Sequence, residues 1–121
     1  MKKLVAALAV LFISVLAAAQ QEIKMDELNQ HTGDSVKVCT KIFGGIYLDR
    51  SKGAPTLLDA GGKYPDSPLT LFIGQETRKQ FKEAPESFYK DKNVCITGRV
   101  KLYKGKSEIE IYDEKQIEVA K

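Results

Sequence analysis

The densest concentration of chemistry-bearing side chains in this chain is a basic run. Lys90, Lys92, Arg99, Lys101, Lys104 and Lys106 fall within a short stretch that contains one acid, Asp91. Cations clustered this closely attract a polyanion through their local potential, whatever the overall sign of the protein. The same run reads equally as a solvated strand face, because Glu108, Glu110, Asp113 and Glu114 follow it directly. Two cysteines, Cys39 and Cys95, offer a second chemistry. They form no Cys-x-x-Cys pair for redox exchange, and no companion set of cysteines and histidines stands by to hold a metal. The sole histidine, His31, sits in a polar turn without a neighbouring nucleophile and reads as an exposed side chain. A calcium-dependent nuclease would have to draw on Asp34, Asp49 and Asp59 with Arg50, Arg78 and Arg99, and no motif links these residues. Neither an enzyme active site nor a cofactor is therefore expected.

The positioning elements begin after a leader. Lys2 and Lys3 precede an apolar run, Leu4 to Leu16, that ends in Ala17-Ala18-Ala19, the pattern of a secretory signal peptide cleaved before Gln20. The run falls short of the roughly 18 to 20 apolar residues that a membrane span needs, and no cysteine at the junction could accept a lipid. A periplasmic or secreted chain with no stable membrane anchor after cleavage is expected. Removing the leader takes two of the 19 basic residues and leaves 17 against 16 acids, so the mature chain is almost neutral. In an oxidising compartment its two cysteines favour a disulfide between Cys39 and Cys95.

The domain plan is a signal peptide over 1–19, a polar leader over 20–33 and one domain over 34–121, about the size for a single core. Val36, Val38 and Ile42 alternate with Lys37, Cys39 and Lys41, so the first strand buries one face and wets the other. Gly44-Gly45 then permits a bulge, which lets one long strand bend to serve both sides of a small barrel. Short strands follow over Pro55 to Asp59 and over Leu69 to Ile73, with Phe72 and Thr70 facing opposite to Leu69 and Leu71. Gln75 to Glu83 is the one helical stretch, stopped or kinked at Ala84-Pro85. Val94, Ile96, Val100 and Leu102 point inward from the fourth strand, and Gly98 allows it to coil. The Lys104-Gly105-Lys106 turn leads to the fifth strand, Glu108 to Tyr112. Three strands, a helix and two strands predict a mainly β, five-stranded Greek-key barrel with one short helix between strands three and four. In that barrel strand one pairs with strand four, the adjacency the disulfide needs.

Asp34-Ser35-Val36-Lys37-Val38-Cys39 before the glycine break, Gly53 to Asp59, Tyr64-Pro65 ahead of Leu69 to Ile73, and Lys92 to Val100 with Tyr103-Lys104-Gly105-Lys106 together resemble the OB-fold nucleic-acid-binding superfamily. The chain is similar to the small OB modules found alone or beside nucleases in exported bacterial proteins. That resemblance implies a binding face on strands two and three, between the loops joining strands one to two and four to five. Mapped onto this chain, it selects Tyr47, Arg50, Lys52, Lys63, Tyr64, Phe72, Arg99, Lys101, Tyr103, Lys104 and Lys106. Aromatic rings there would stack on bases while lysines and arginines follow the phosphates of single-stranded DNA or RNA. Read from the residues alone, the three tyrosines are equally rim packing, and Asp49, Asp59, Glu108 and Glu110 dilute the basic character. A secreted protein or a glycan is the alternative partner.

Overall fold

The computed structural model describes residues 20–121, and the signal peptide expected over 1–19 lies outside them. Seven strands form: β1 (Gln21–Ile23), β2 (Ser35–Tyr47), β3 (Thr56–Ala60), β4 (Leu69–Ile73), β5 (Asn93–Tyr103), β6 (Lys106–Ile111) and β7 (Ile117–Val119). Five of them close a barrel in the order β2-β3-β4-β6-β5, with β5 returning to β2. The β4–β6 pair is parallel and the other barrel pairs are antiparallel. The barrel predicted from strand order and glycine placement is the one observed.

Its core follows from alternation. Val36, Val38, Leu58, Leu69, Leu71, Ile73, Val94, Ile96, Val100, Ile109 and Ile111 are all fully buried, each on the inward phase of its strand. Burying one such aliphatic side chain is worth about 1.5–3 kcal/mol, so the barrel interior dominates the stability. β2 serves two neighbours by bending at its glycines. The register against β3 shifts between Ile42 and Gly44, as expected of a bulge. At Gly45 a side chain has no room, since a Cβ would lie 2.5 Å from the Leu57 carbonyl oxygen. Gly98 marks the equivalent change on β5, which pairs with β2 through Arg99 and with β6 from Val100 onward. There a Cβ would stand 2.5 Å from Ile109 Cγ2, so the missing side chain also makes room for the facing strand.

The two cysteines occupy directly opposed positions of the β2–β5 ladder and are joined, with Cα atoms 4.0 Å apart. The bridge thus crosses the seam that closes the barrel, and it is a bond characteristic of oxidising compartments. Among the described residues no helix is long and apolar enough to cross a membrane.

Four expectations change. The leader is part of the packing: β1 pairs parallel with β2, and Ile23 and Leu28 are buried in the core. A strand absent from the expected five, β7, pairs with β5 on the side away from β2. The helix over Gln75 to Glu83 is shorter. It forms only α1 (Gln75–Arg78), and after a turn a second helix, α2 (Pro85–Phe88), begins with proline at its first turn. Proline has no N–H to continue a ladder and keeps the preceding Ala84 out of the helical region, with ψ 118°, so it starts a helix here and does not lie inside one. Finally, Leu102 is 55% exposed, although its rung partner Ser107 is buried beside Leu69.

Candidate functional site

The outward phases of β3, β4 and β6 build the floor of a groove of about 530 Å³. Leu57 and Phe72 are cross-strand partners on β3 and β4, and Thr70 lies beside Glu108 in the parallel β4–β6 register. One wall is the β2–β3 loop, through Leu48 and Pro55, and another is the β3–β4 loop, through Tyr64. The third is the β5–β6 hairpin, which supplies Tyr103, Lys104 and Lys106. That hairpin is tight because Lys104 and Gly105 both adopt positive φ, 52° and 82°, matching the twist of the strands it joins. Tyr64 is 79% exposed and Tyr103 60% exposed, the latter with Lys104 Nζ 5.4 Å from its ring centroid, while Phe72 is half-buried below them. Lys106 donates to the Pro65 carbonyl and ties the hairpin wall to the β3–β4 loop.

Of the residues selected from the sequence, the groove therefore gathers Tyr64, Phe72, Tyr103, Lys104 and Lys106. The others lie elsewhere. Arg50 and Lys52 are exposed in the β2–β3 loop and Lys63 is exposed in the β3–β4 loop, none of them lining the groove. Arg99 donates to the Gly33 carbonyl at 2.7 Å, and Lys101 Nζ lies 3.3 Å from Glu110 Oε1. These two line a separate depression with Tyr112 and Gln116. Tyr47 is covered by the Arg78 guanidinium, 3.6 Å from its ring centroid. Arg78 also donates to Thr56 Oγ1 at 2.6 Å and to both Glu86 carboxylate oxygens at 2.8 and 3.2 Å, clamping α1 and α2 onto the barrel. Of the carboxylates and arginines considered for nuclease chemistry, Asp34 pairs with His31, Arg78 with Glu86 and Arg99 with the Gly33 carbonyl. His31 Nδ1 lies 3.1 Å from Asp34 Oδ2, an interaction the turn sequence did not reveal.

Sequence reasoning missed the groove's apolar lining and its acid. Leu48, Pro55 and Leu57 carry no functional signature, and Glu108 reads as a solvated charge. In fact Glu108 is 9% exposed, on the rung Asp59, Thr70, Glu108, Lys101 that crosses four strands of the outer face. Burial pushes the Glu108 carboxyl above its ordinary value of 4.5; Lys101 opposes the shift and Glu110 adds to it. Burial likewise raises Asp59 above 3.8, against the pull of Lys106. The Arg78 hydrogen bonds do the reverse and lower Glu86. A carboxyl raised in the fold contributes stability that is complete below its unfolded value and is lost as pH rises through the folded one. Glu108→Gln is accordingly expected to raise the melting temperature at pH 7, with the gain shrinking to nothing by about pH 4. Circular dichroism melts from pH 4 to 8 measure this, and a gap independent of pH would refute it. The sign is opposite at Glu86, whose contribution to stability is lost as pH falls through its lowered value.

A closed five-stranded barrel with a groove across its outer face and loops at both rims is an OB-type fold. Among solved structures it is similar to a protein from Leishmania major Friedlin assigned as an aspartyl-tRNA synthetase, at a TM-score of 0.51 and 12% identity. The alignment covers 92% of this chain and 23% of that one, so the likeness is of a fold embedded in a much larger protein. No family model and no curated protein matches the sequence.

Proposed function

We propose that this chain is an exported binding module, not an enzyme, that takes single-stranded nucleic acid in the outer groove. The observation that carries this reading is the groove itself. Two exposed tyrosines stand over a floor of Leu57, Phe72, Thr70 and Glu108, and Lys104 and Lys106 stand on the same rim. Aromatic faces accept any base at roughly 1–3 kcal/mol each, and rim lysines follow the phosphates. The solved chain with a similar fold is named for work on tRNA, which agrees with this reading. The disulfide and the predicted leader support a site of action outside the cytoplasm.

The test is fluorescence anisotropy of the oxidised mature chain with labelled single-stranded DNA and RNA at low and near-physiological salt. Binding should weaken as salt rises, about 5- to 100-fold in Tyr103→Ala, and further when Lys104 and Lys106 are neutralised. No binding at low salt, where phosphate contacts are strongest, would overturn the proposal. A second reading, a protein or glycan partner, is favoured by one observation: Asp59, Glu108 and Glu110 share this face and offset its lysines. Salt-insensitive binding to such a partner would establish it.

A further inference from the structure

The groove holds an acid that stacking and phosphate contacts do not need. Glu108 is buried to nine-tenths, lines the groove floor, and makes no hydrogen bond or ion pair among the described residues. The nearest candidate counter-ion by strand register, Lys101, is engaged with Glu110 instead. A carboxylate shielded from much of its water and given no protein partner is a cost to folding, consistent with the rise in its pKa caused by burial. Its neighbour on β4 is Thr70, whose hydroxyl both donates and accepts. The pair therefore presents, side by side and beneath the aromatic rim, an acceptor with two oxygens and a hydroxyl donor.

We infer that this pair reads a guanine base, Glu108 accepting from its N1–H and 2-amino group while the Thr70 hydroxyl donates to O6. The inference rests on the nucleic-acid reading above. Guanine is the only one of the common bases that offers two adjacent donors on its Watson–Crick edge, beside a carbonyl acceptor. Uracil and thymine offer one N–H between two carbonyls, and adenine and cytosine place a ring nitrogen lone pair where the second donor is needed, so each sets an acceptor against the carboxylate. Stacking alone is tolerant of sequence, so discrimination must come from such a polar contact. This gives the unpartnered acid a use that its cost to stability otherwise lacks.

The experiment compares labelled oligo(dT) with the same strand carrying a central guanine, or inosine at that position, by anisotropy at low salt and pH 7.5. The guanine strand should bind about tenfold more tightly than oligo(dT), with inosine, which lacks the 2-amino group, in between. Glu108→Gln should abolish most of the guanine preference, read as the ratio of guanine-strand to oligo(dT) affinity within that variant. Thr70→Val should reduce the preference without the gain in melting temperature that Glu108→Gln shows. Equal, salt-dependent binding of all three strands would overturn the guanine inference and leave the nucleic-acid reading standing. A preference retained in Glu108→Gln would also overturn it. Failure of every strand to bind would remove both.

Discussion

Replacing Cys39 and Cys95 together with alanine is expected to lower the unfolding free energy by about 4 kcal/mol, as measured by urea denaturation, without changing the native circular dichroism spectrum. The magnitude follows from the 56-residue separation of the two half-cystines, since a cross-link that closes a long loop removes more disorder from the unfolded chain than a short one does. Against a typical domain stability of about 5–15 kcal/mol, the loss is a large share of the whole. Reduction of the parent protein should reproduce it. A loss below about 1 kcal/mol would show that the β2–β5 ladder, which runs from Ser35 with Arg99 to Lys41 with Asn93, holds the seam unaided.

Arg78→Ala should cost about 3 kcal/mol, more than any loss expected from an exposed groove residue. The arginine is enclosed by Thr56, Glu86 and the Tyr47 ring, and both it and Glu86 keep less than a fifth of their side-chain surface exposed. Removing it leaves a shielded carboxylate without its partner, the case in which breaking an ion pair is most damaging. Arg78→Lys keeps the charge but loses the paired N–H contacts and the planar stack, and should recover less than half of the loss. Thermal melts and urea titrations read both variants. Because Arg78 lies outside the groove, affinity for oligonucleotides should survive in both where they are folded. A cost under about 1 kcal/mol for the alanine variant would mean that the clamp contributes little to holding α1 and α2.

Where a side chain's place depends on period and turn chemistry, the sequence was legible. Val36, Val38, Val94 and Ile96 alternate with partners that must face outward, and Gly44-Gly45 announces the bulge, so barrel closure and the disulfide both followed. The groove was legible only in part. Tyr64, Phe72, Tyr103, Lys104 and Lys106 converge because the β3–β4 loop, β4 and the β5–β6 hairpin meet on one face, whereas Arg99 and Lys101 line a different depression although they share a strand with Tyr103. Glu108 reads as solvent-facing because charge patterning along one strand cannot show what neighbouring loops shield. Arg78 escaped recognition as a clamp for a related reason: its partners Thr56, Tyr47 and Glu86 come from three segments that only the tertiary fold brings together. β1 and β7 are three residues each, too short for periodicity to reveal, and exist because they lie against strands already in place.

The position of the closing seam also sets an order of events for a chain that emerges with its amino terminus first. Residues 35–41 emerge early, yet their ladder partners are residues 93–99, near the other end. Until those arrive, Val36 and Val38 have no β5 to cover them, and Cys39 is a lone thiol. No nascent length shorter than nearly the whole domain can complete the barrel, and contacts this distant in sequence form slowly. The emerging chain thus stays open, with an unpaired sulfur and an uncovered apolar strand, until nearly the whole domain is available.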